Sequence, residues 1–261
     1  MRLRLSIILI LSLACLSGYA QSERTTLFGF GRANQYDTYL SPLEYAGPQF
    51  SLSNRTVRDL ARQPHVSFET LTQIEYSYTK NATGSAHEHG GAARFDTGWS
   101  YNWRNLAPGL SLSAGGLVGA DFGFLYNTRN SNNPAQARVG ARLSATVEGT
   151  YRLRIKKRHL TLDYKATMPL LGCMFSPQYG QSYYNIFSQG NYDHNILATH
   201  PGNALSLRQR LTVSIPVKKQ AVTVGYASDL LQSKPHSLRQ HQYSRYLLVG
   251  WSFDKPRKKN E

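Results

Sequence analysis

Apolar and polar residues alternate along most of the chain, and the longest uninterrupted example is the segment 136–155, QARVGARLSATVEGTYRLRI. Every odd position from Ala137 to Ile155 is apolar, aromatic or glycine, whereas the even positions carry mainly Ser, Thr, Glu and Arg. Successive side chains of a β-strand point to opposite faces of the sheet. The pattern therefore predicts a long strand with one apolar and one polar face.

The same period of two recurs in further segments, which together predict an antiparallel sheet. Eight strands are expected to begin at Val66, Ala93, Leu110, Gln136, His159, Asn203, Val222 and Tyr243. Glu44–Ser53 and Thr25–Arg32 can add two more, which gives about ten strands. Eight strands result without those two, and twelve result if the long link before Asn203 contains a hairpin. Only Val57–Arg62 is a candidate for a short helix.

The links between these strands alternate in length along the chain. Val217–Ala221 and Ile155–His159 are short and basic, whereas the links over 81–91, 128–135, 171–202 and 232–242 are long. Short turns at one end and long loops at the other are typical of an outer-membrane barrel. We therefore predict an all-β fold, an antiparallel up-and-down transmembrane β-barrel.

Aromatic residues separate into two groups, one at each end of the predicted strands. The expected outer group is Tyr76, Tyr78, Phe122, Phe124, Tyr126 and Tyr243, and the expected periplasmic group is Trp99, Tyr101, Trp103, Tyr151, Trp251 and Phe253. Two aromatic girdles around an aliphatic band are typical of a membrane barrel. The alternative is a soluble periplasmic β-protein, which a mean hydropathy of −0.43 also fits.

The first residues indicate export. MRLRLSIILILSLACLSGYAQS has a basic start, an apolar run and small residues before Gln21, so we predict a signal peptide over 1–20 that is cleaved after Ala20. A lipoprotein that uses Cys15 is the alternative, although Ser12 replaces the usual aliphatic residue. The expected product is a single barrel domain over 21–261 in the bacterial outer membrane, with a basic periplasmic tail over 254–261. Cys173 would then be its only cysteine, which excludes an intramolecular disulfide.

Charged residues of both signs occur on the polar faces of these strands, although the chain has a formal charge of +15. Loss of the two arginines of the signal peptide lowers that charge to +13, and the basic residues are not gathered with stacking aromatics, so no nucleic-acid partner is expected. Charges inside a narrow barrel should pair across the lumen, because an unpaired buried charge is costly. The predicted lumen charge network is Glu69, Glu75, Asp121, Arg138, Arg142, Glu148, Asp163, Arg208 and Arg210, with Asp96 on the same inner face. Such a filled lumen predicts little passive conductance.

The link over 171–202 is rich in aromatic, amide and glycine residues. Amphipathic rings beside adaptable polar groups suit a small ligand or a glycan. The candidate binding residues are Tyr179, Tyr183, Tyr184, Phe187 and Tyr192. The alternative is that this link folds inward as a plug, lid or extra hairpin at the mouth of the barrel.

Candidate catalytic chemistry is sparse in this sequence. A lipid-modifying barrel enzyme, such as an acyl hydrolase, would need a His, a Ser and an acidic or amide partner near the outer leaflet, and the chain offers His65 with Ser67 and His236 with Ser237. The first pair lies at the predicted periplasmic end. His87-Glu88-His89 could bind a metal ion at a loop tip, but a solvated loop is expected there. We therefore assign no catalytic residue, metal or cofactor, and we expect outer-membrane lipid and lipopolysaccharide as partners.

Three segments resemble a known family. DTYLSPLEY (37–45), RNSNNPAQ (129–136) and FSPQYGQSYY (175–184) are similar to sequences of an uncharacterised family of exported Bacteroidetes proteins, domain of unknown function 3316. The similarity covers essentially the whole mature chain. It implies an outer-membrane setting, but it implies no activity, ligand or catalytic residue.

Overall fold

A computed structural model describes residues 19–155, 158–218 and 220–255 of the 261-residue chain. Most of the predicted signal peptide and residues 256–261 of the predicted tail lie outside this range. The strands are β1 (Tyr19–Asp37), β2 (Ser41–Leu60), β3 (Val66–Lys80), β4 (His87–Ala107), β5 (Leu110–Asn127), β6 (Ala135–Ile155), β7 (Arg158–Phe175), β8 (Ile196–Thr199), β9 (Ser206–Val217), β10 (Gln220–Ser233) and β11 (Gln240–Lys255). The helices are α1 (Tyr183–Phe187) and a 3-10 turn (Pro235–Ser237). Neither described helix has the length and apolar character to cross a membrane.

The sheet closes on itself. Each long strand pairs with its neighbours in sequence, β6 pairs with β7, and β1 pairs with β11 over Ser22–Asp37. Ten antiparallel strands form the wall, because the short β8 lies in line with β9 beside the same strand, β7. This confirms the predicted ten-stranded antiparallel barrel. We call the end that holds residues 22 and 255 the turn end, and the opposite end the loop end.

The barrel has an apolar outside and a polar inside, the reverse of a soluble protein. Among the described residues, 28 polar side chains and only 11 apolar ones are buried. Ten of the twelve predicted girdle aromatics are 38–59% exposed, the exceptions being Tyr243 and Phe253, which are partly buried. The strict alternation of the sequence is therefore the alternation between the outer face and the lumen.

Several predicted boundaries were wrong. Val57–Leu60 continues β2 instead of starting a helix, because Val57 and Arg58 pair with Glu69 and Phe68 of β3. β4 begins at His87 instead of Ala93, and β9 begins at Ser206 instead of Asn203. The predicted 171–202 loop is also shorter, because its first residues belong to β7 and its later residues contain β8.

The wall has one irregular place, which lies between β7 and β9. The pairing of β6 with β7 changes register between Leu143 and Ser144, so that Leu170 becomes an extra residue beside Pro169. On its other side, β7 pairs with β9 as far as Thr167 and with β8 from Gly172 onward. Residues 168–171 therefore form no described ladder pair with β8 or β9. We call this interruption the wall gap.

Candidate functional site

Ion pairs cross the lumen nearest the turn end. Arg55 of β2 donates to Glu69 of β3 at 2.9 Å and to Glu148 of β6 at 2.8 Å. Lys165 of β7 also pairs with Glu69. These four side chains join β2 and β3 to β6 and β7, which lie on the other side of the barrel. The lumen is therefore tied across its width at this level.

A second group of charges crosses the middle of the lumen. Arg94 of β4 lies 3.4 Å from Glu75 and 3.6 Å from Asp229 of β10, a strand on the opposite side of the wall. Arg142 of β6 donates to Asp96 at 2.6 Å and pairs with Asp121 of β5. Arg208 of β9 approaches Asp121 and Asp229 only to 3.8 and 3.7 Å. Three arginines thus share four carboxylates in a confined space, where mutual pairing offsets the cost of burial.

A third group lies near the loop end, where Asp37 is the last residue of β1 and Glu88 is one residue beyond the level of Tyr78 and Tyr126. Arg138 of β6 lies 3.5 Å from the buried Asp37 of β1, again across the barrel. Burial raises the pKa of Asp37, although Arg138 opposes that shift. Burial also raises the pKa of the nearby Glu88 to about 7, although Asn127 donates a hydrogen bond to its carboxylate at 2.9 Å. The rim therefore holds two carboxyl groups that favour the neutral form more than free carboxyl groups do.

The structure places seven of the nine predicted lumen residues in these three groups. Glu69 and Glu148 lie in the first group, Glu75, Asp121, Arg142 and Arg208 in the second, and Arg138 in the third. Asp163 accepts a hydrogen bond from Thr150 at 2.6 Å, and Arg210 forms no ion pair with any described residue. Sequence reasoning missed Arg55, Arg94, Lys165 and Asp229 as members. Their positions on the polar faces of alternating strands could have indicated them.

The link after β7 folds over the loop end, and we call residues 176–195 the cap. Helix α1 of the cap begins after Ser182, whose hydroxyl accepts a hydrogen bond from the backbone N–H of Asn185. The Tyr183 hydroxyl donates to Gln136 at 2.8 Å and accepts from the backbone N–H of Ala137 at 2.6 Å. These bonds fix the cap to the first residues of β6.

Other loops also turn inward at this end. The Tyr39 hydroxyl donates to the Gln181 carbonyl at 3.0 Å, and burial followed by the charge of Asp37 raises the pKa of Tyr39 to about 12. Asn130 donates to the Leu40 carbonyl at 3.0 Å, which joins the loop after β5 to the turn after β1. Apolar side chains from five different segments are fully buried here, namely Leu40, Ala86, Leu125, Ile186 and Leu238. The loop end is therefore covered.

The candidate ligand-binding aromatics of the cap divide into two kinds. Tyr183 is half-buried and its ring contacts Tyr39, Phe175 and Phe187, so it serves to hold the cap. Tyr179, Tyr184, Phe187 and Tyr192 are instead 63–86% exposed. Only Tyr183 and Phe187 of the predicted five stack on each other, with ring centroids 6.0 Å apart.

Described residues of the barrel wall line a cavity near each end of the lumen. The turn-end cavity has a volume of about 870 Å³ and is lined by polar and charged residues, among them Asp59, Arg104, Arg152, Asp163 and Arg210. The loop-end cavity is smaller, about 210 Å³, and lies beside the wall gap. The charges of the first and second groups lie between these two cavities. The two cavities have no lining residue in common.

The histidines do not form a hydrolase site in the part of the chain that the structure describes. His87 and His89 contact the hydroxyls of Tyr78 and Tyr76, at 3.0 and 2.8 Å, and His236 contacts the His194 carbonyl. Within the same described residues, no His nitrogen has a Ser or Thr hydroxyl partner, and no group of three His, Cys, Asp or Glu side chains is arranged for a metal ion. Glu88 faces the lumen while its two histidine neighbours contact exposed tyrosines, so the three side chains diverge.

The model of a family described as "Protein of unknown function (DUF3316)" matches residues 16–255. The chain belongs to this family. No curated protein matches the sequence. The fold, in contrast, is similar to solved structures of outer-membrane barrels.

The outer-membrane protease OmpT from Escherichia coli has a TM-score of 0.50 and 9% identity, over 92% of this chain and 98% of that chain. The transport unit of the autotransporter AIDA-I from Escherichia coli is 10% identical with a TM-score of 0.46, and the match covers 92% of this chain and 90% of the transport unit. The translocator domain of the autotransporter NalP from Neisseria meningitidis is 8% identical with a TM-score of 0.39, and the match covers 97% of this chain and 95% of the translocator domain. Identities this low show a shared fold alone. The DUF3316 protein thus has the fold of outer-membrane β-barrels.

Proposed function

We propose that this protein is a closed, non-enzymatic barrel that binds a small ligand or a glycan at the cell surface and does not conduct solutes. In this proposal the signal peptide over 1–20 is removed on export and the barrel lies in the bacterial outer membrane. The loop end faces outward, and the turn end faces the periplasm. An origin in the Bacteroidetes stays a prediction from the resemblance.

One observation carries the first half of the proposal: the lumen is crossed by ion pairs and covered by loops. Arg55 with Glu148 and Arg94 with Asp229 connect facing walls at two levels. The cap and neighbouring loops bury apolar side chains above them. An ion that passes would have to separate these pairs and leave charges unpaired in a confined interior, which is costly.

Planar bilayers test this half directly. The purified protein, inserted into a bilayer of bacterial phospholipid, should give no stable single-channel openings in potassium chloride. Insertion is checked beforehand by heat-modifiable mobility in gels of the same reconstituted sample. Large and long-lived openings from a correctly folded sample would overturn the proposal.

The exposed aromatics of the cap support the second half. Tyr179, Tyr184, Phe187 and Tyr192 are exposed on a segment whose backbone is held by hydrogen bonds from Asn195 and Gln178. Exposed rings on a preorganised surface lose little entropy on binding, and they stack well on apolar sugar faces. The remaining polar residues of the cap can donate and accept hydrogen bonds with hydroxyl groups.

A glycan array tests this half. The protein in nanodiscs should bind a subset of glycans, and Tyr179→Ala combined with Tyr192→Ala should weaken binding by about tenfold or more. Tyr101→Ala, which removes an exposed ring at the turn end, serves as the control and should change nothing. Equal loss in both variants, or the absence of any bound glycan, would contradict a binding role for the cap.

Contacts with lipid complete the proposal. The exposed aliphatic band and the girdle tyrosines support contact with outer-membrane lipid, and with lipopolysaccharide near the loop end. The alternative of a lipid-modifying enzyme lacks support, since no described His is paired with a Ser or Thr hydroxyl. We therefore do not propose catalysis.

A further inference from the structure

The wall gap interrupts the barrel where a continuous ladder would otherwise separate the lumen from lipid. Thr167 pairs with Arg208 and Gly172 pairs with Thr199, but the residues between them form no described pair across to β8 or β9. The chain opposite makes a turn at His200–Ala204, closed by a hydrogen bond from the Ala204 N–H to the His200 carbonyl. Leu170, Leu171 and Leu205 are exposed around the gap, so its outer edge is apolar.

The loop-end cavity of about 210 Å³ connects this gap to the lumen. Its lining includes Pro169 of the gap, Cys173 and Ala204 beside the gap, and lumen residues such as Arg142 and Arg208. Cys173 is exposed on the outer face of the wall, whereas Arg142 is buried in the lumen. The lining therefore includes residues that face both sides of the wall beside the gap.

The inner side of this cavity is rich in cationic groups. Four arginines line it, Arg94, Arg138, Arg142 and Arg208, against two acids, Glu75 and Asp121. Asp96 and Asp229, which pair with these arginines, do not line the cavity. The positive charges are therefore nearer to the cavity than most of the carboxylates that neutralise them.

These arginines retain unused hydrogen-bonding capacity. The buried Nε atoms of Arg138, Arg142 and Arg208 have no hydrogen-bond partner among the described residues. Arg208 has only the two loose ion pairs at 3.7 and 3.8 Å, both too long for hydrogen bonds. A buried guanidinium donor without a partner is costly, and an anionic ligand would satisfy it.

We propose that the loop-end cavity binds the carboxylate of a single-chain amphiphile, with Arg208 as its main contact and the acyl chain extending through the wall gap into the bilayer. The proposal does not depend on the cap or on the absence of conductance. Pro169, Met174 and Leu231 supply an apolar wall for the first methylenes of the chain. This site is separate from the exposed aromatic residues of the cap, none of which lines the cavity.

The size of the cavity determines which part of such a molecule it can hold. A volume of about 210 Å³ equals that of roughly seven water molecules at about 30 Å³ each, which is below the range of drug-sized pockets. A carboxylate and a short part of its chain fit, but a whole long chain does not. The rest must lie along Leu170, Leu171 and Leu205 in lipid.

The test uses full-length protein in nanodiscs and dodecanoate labelled with ¹³C at the carboxyl carbon. Saturable binding should appear as a shift of the ¹³C resonance, and Arg208→Gln should weaken it by at least about tenfold, the effect of losing a charge-assisted hydrogen bond. Arg210→Gln is the matched control, since Arg210 lies two residues further along β9 and lines the turn-end cavity instead. It should bind dodecanoate within twofold of the unmodified protein.

Three further measurements define the site and its entrance. Dodecanol should bind much more weakly than dodecanoate, and Ala204→Trp should abolish dodecanoate binding by filling the gap. Hexanoate, which stays mostly in water, should bind weakly, whereas equally tight binding would overturn entry from the bilayer. Absence of saturable dodecanoate binding, equal losses in Arg208→Gln and Arg210→Gln, or full binding by Ala204→Trp would each overturn the proposal. Heat-modifiable mobility checks folding, and Arg138→Gln replaces Arg208→Gln should that variant not fold.

Discussion

Arg55, which the sequence patterns did not identify, connects three strands of the barrel, β2, β3 and β6. Its guanidinium bonds to Glu69 of β3 and Glu148 of β6, and Lys165 adds a second cation beside Glu69. Removal of one cation leaves two carboxylates close together in a partly buried space. The remaining lysine can neutralise only one of them.

We therefore expect Arg55→Leu to lower the free energy of unfolding by about 3 kcal/mol, since it leaves a buried carboxylate without a partner. The measurement is the urea midpoint of the protein in detergent micelles, followed by tryptophan fluorescence. Arg152→Leu is the control, because Arg152 is exposed in the turn-end cavity, and its effect should stay within about 0.5 kcal/mol. Equal effects of the two substitutions would contradict the role assigned to Arg55.

The raised pKa of Glu88 leads to a prediction of how the free energy of unfolding depends on pH. Because burial raises its pKa from 4.5 to about 7, the folded rim retains a proton that the unfolded chain releases between these values. Stability should therefore be greatest below about pH 4.5 and fall as the pH rises to about 7. Asp37, whose pKa is also raised, contributes in the same direction.

Glu88→Gln should reduce this dependence, because the amide does not titrate. The check is the melting temperature from heat-modifiable gel mobility at pH 5 and pH 8. The unmodified protein should melt at a higher temperature at pH 5, and the difference should shrink in the variant. An unchanged difference would show that Glu88 is ionised in the folded rim at both pH values.

At the scale of single elements, alternation predicted the strands well and their ends poorly. Val66 and Leu110 begin strands where expected, since turn residues mark the preceding links. The first part of β4 was missed because Gly90 and Gly91 resemble a loop. A side chain at Gly91 would approach the Phe124 ring to 2.5 Å, so glycine there accommodates an aromatic residue of the neighbouring strand. Such cross-strand packing is not visible in a single segment.

The cap offers a prediction at the same scale. Tyr183→Phe removes the hydroxyl that bonds to Gln136 and to the Ala137 N–H. Loss of these two hydrogen bonds should destabilise the closed cap by about 1–2 kcal/mol. The population of the opened cap should then rise five- to thirtyfold. Limited chymotrypsin digestion within residues 176–195 should accelerate accordingly.

Tyr184→Phe is the control for this measurement. Tyr184 is the adjacent residue of α1 and its side chain is 65% exposed, without any described hydrogen bond of its hydroxyl. Its substitution should leave the digestion rate within about twofold. A similar acceleration in both variants would mean that the cap does not depend on the anchor at Tyr183.

At the scale of the whole molecule, sequence patterns indicated a charged lumen but not its partners. Alternation assigns Arg208 to the inner face, yet it gives neither the height of this residue in the barrel nor the strand it faces. Both depend on the stagger of the closed sheet, which only the complete register determines. Asp229 was missed because its strand alternates less cleanly, and the wall gap was missed because no local pattern marks it.

Removal of the cap should not open a channel. If residues 176–195 are replaced by a short Gly-Ser linker, the ion pairs of Arg55 and Arg94 still cross the lumen. We expect no stable conductance from this variant in planar bilayers. Conductance should appear when the cap deletion is combined with Arg55→Ala and Arg94→Ala, and conductance from the deletion alone would assign the seal to the cap.

The pairing of β1 with β11 has a consequence for biogenesis. It joins Asp37 to Gln240, residues more than 200 positions apart, whereas the other long wall strands pair with neighbours in sequence. Until the last strand arrives, a nascent sheet carries two free edges that could capture other chains. The barrel can therefore close only when β11 is available to pair with β1, and both edges of the sheet stay open to misassembly until then.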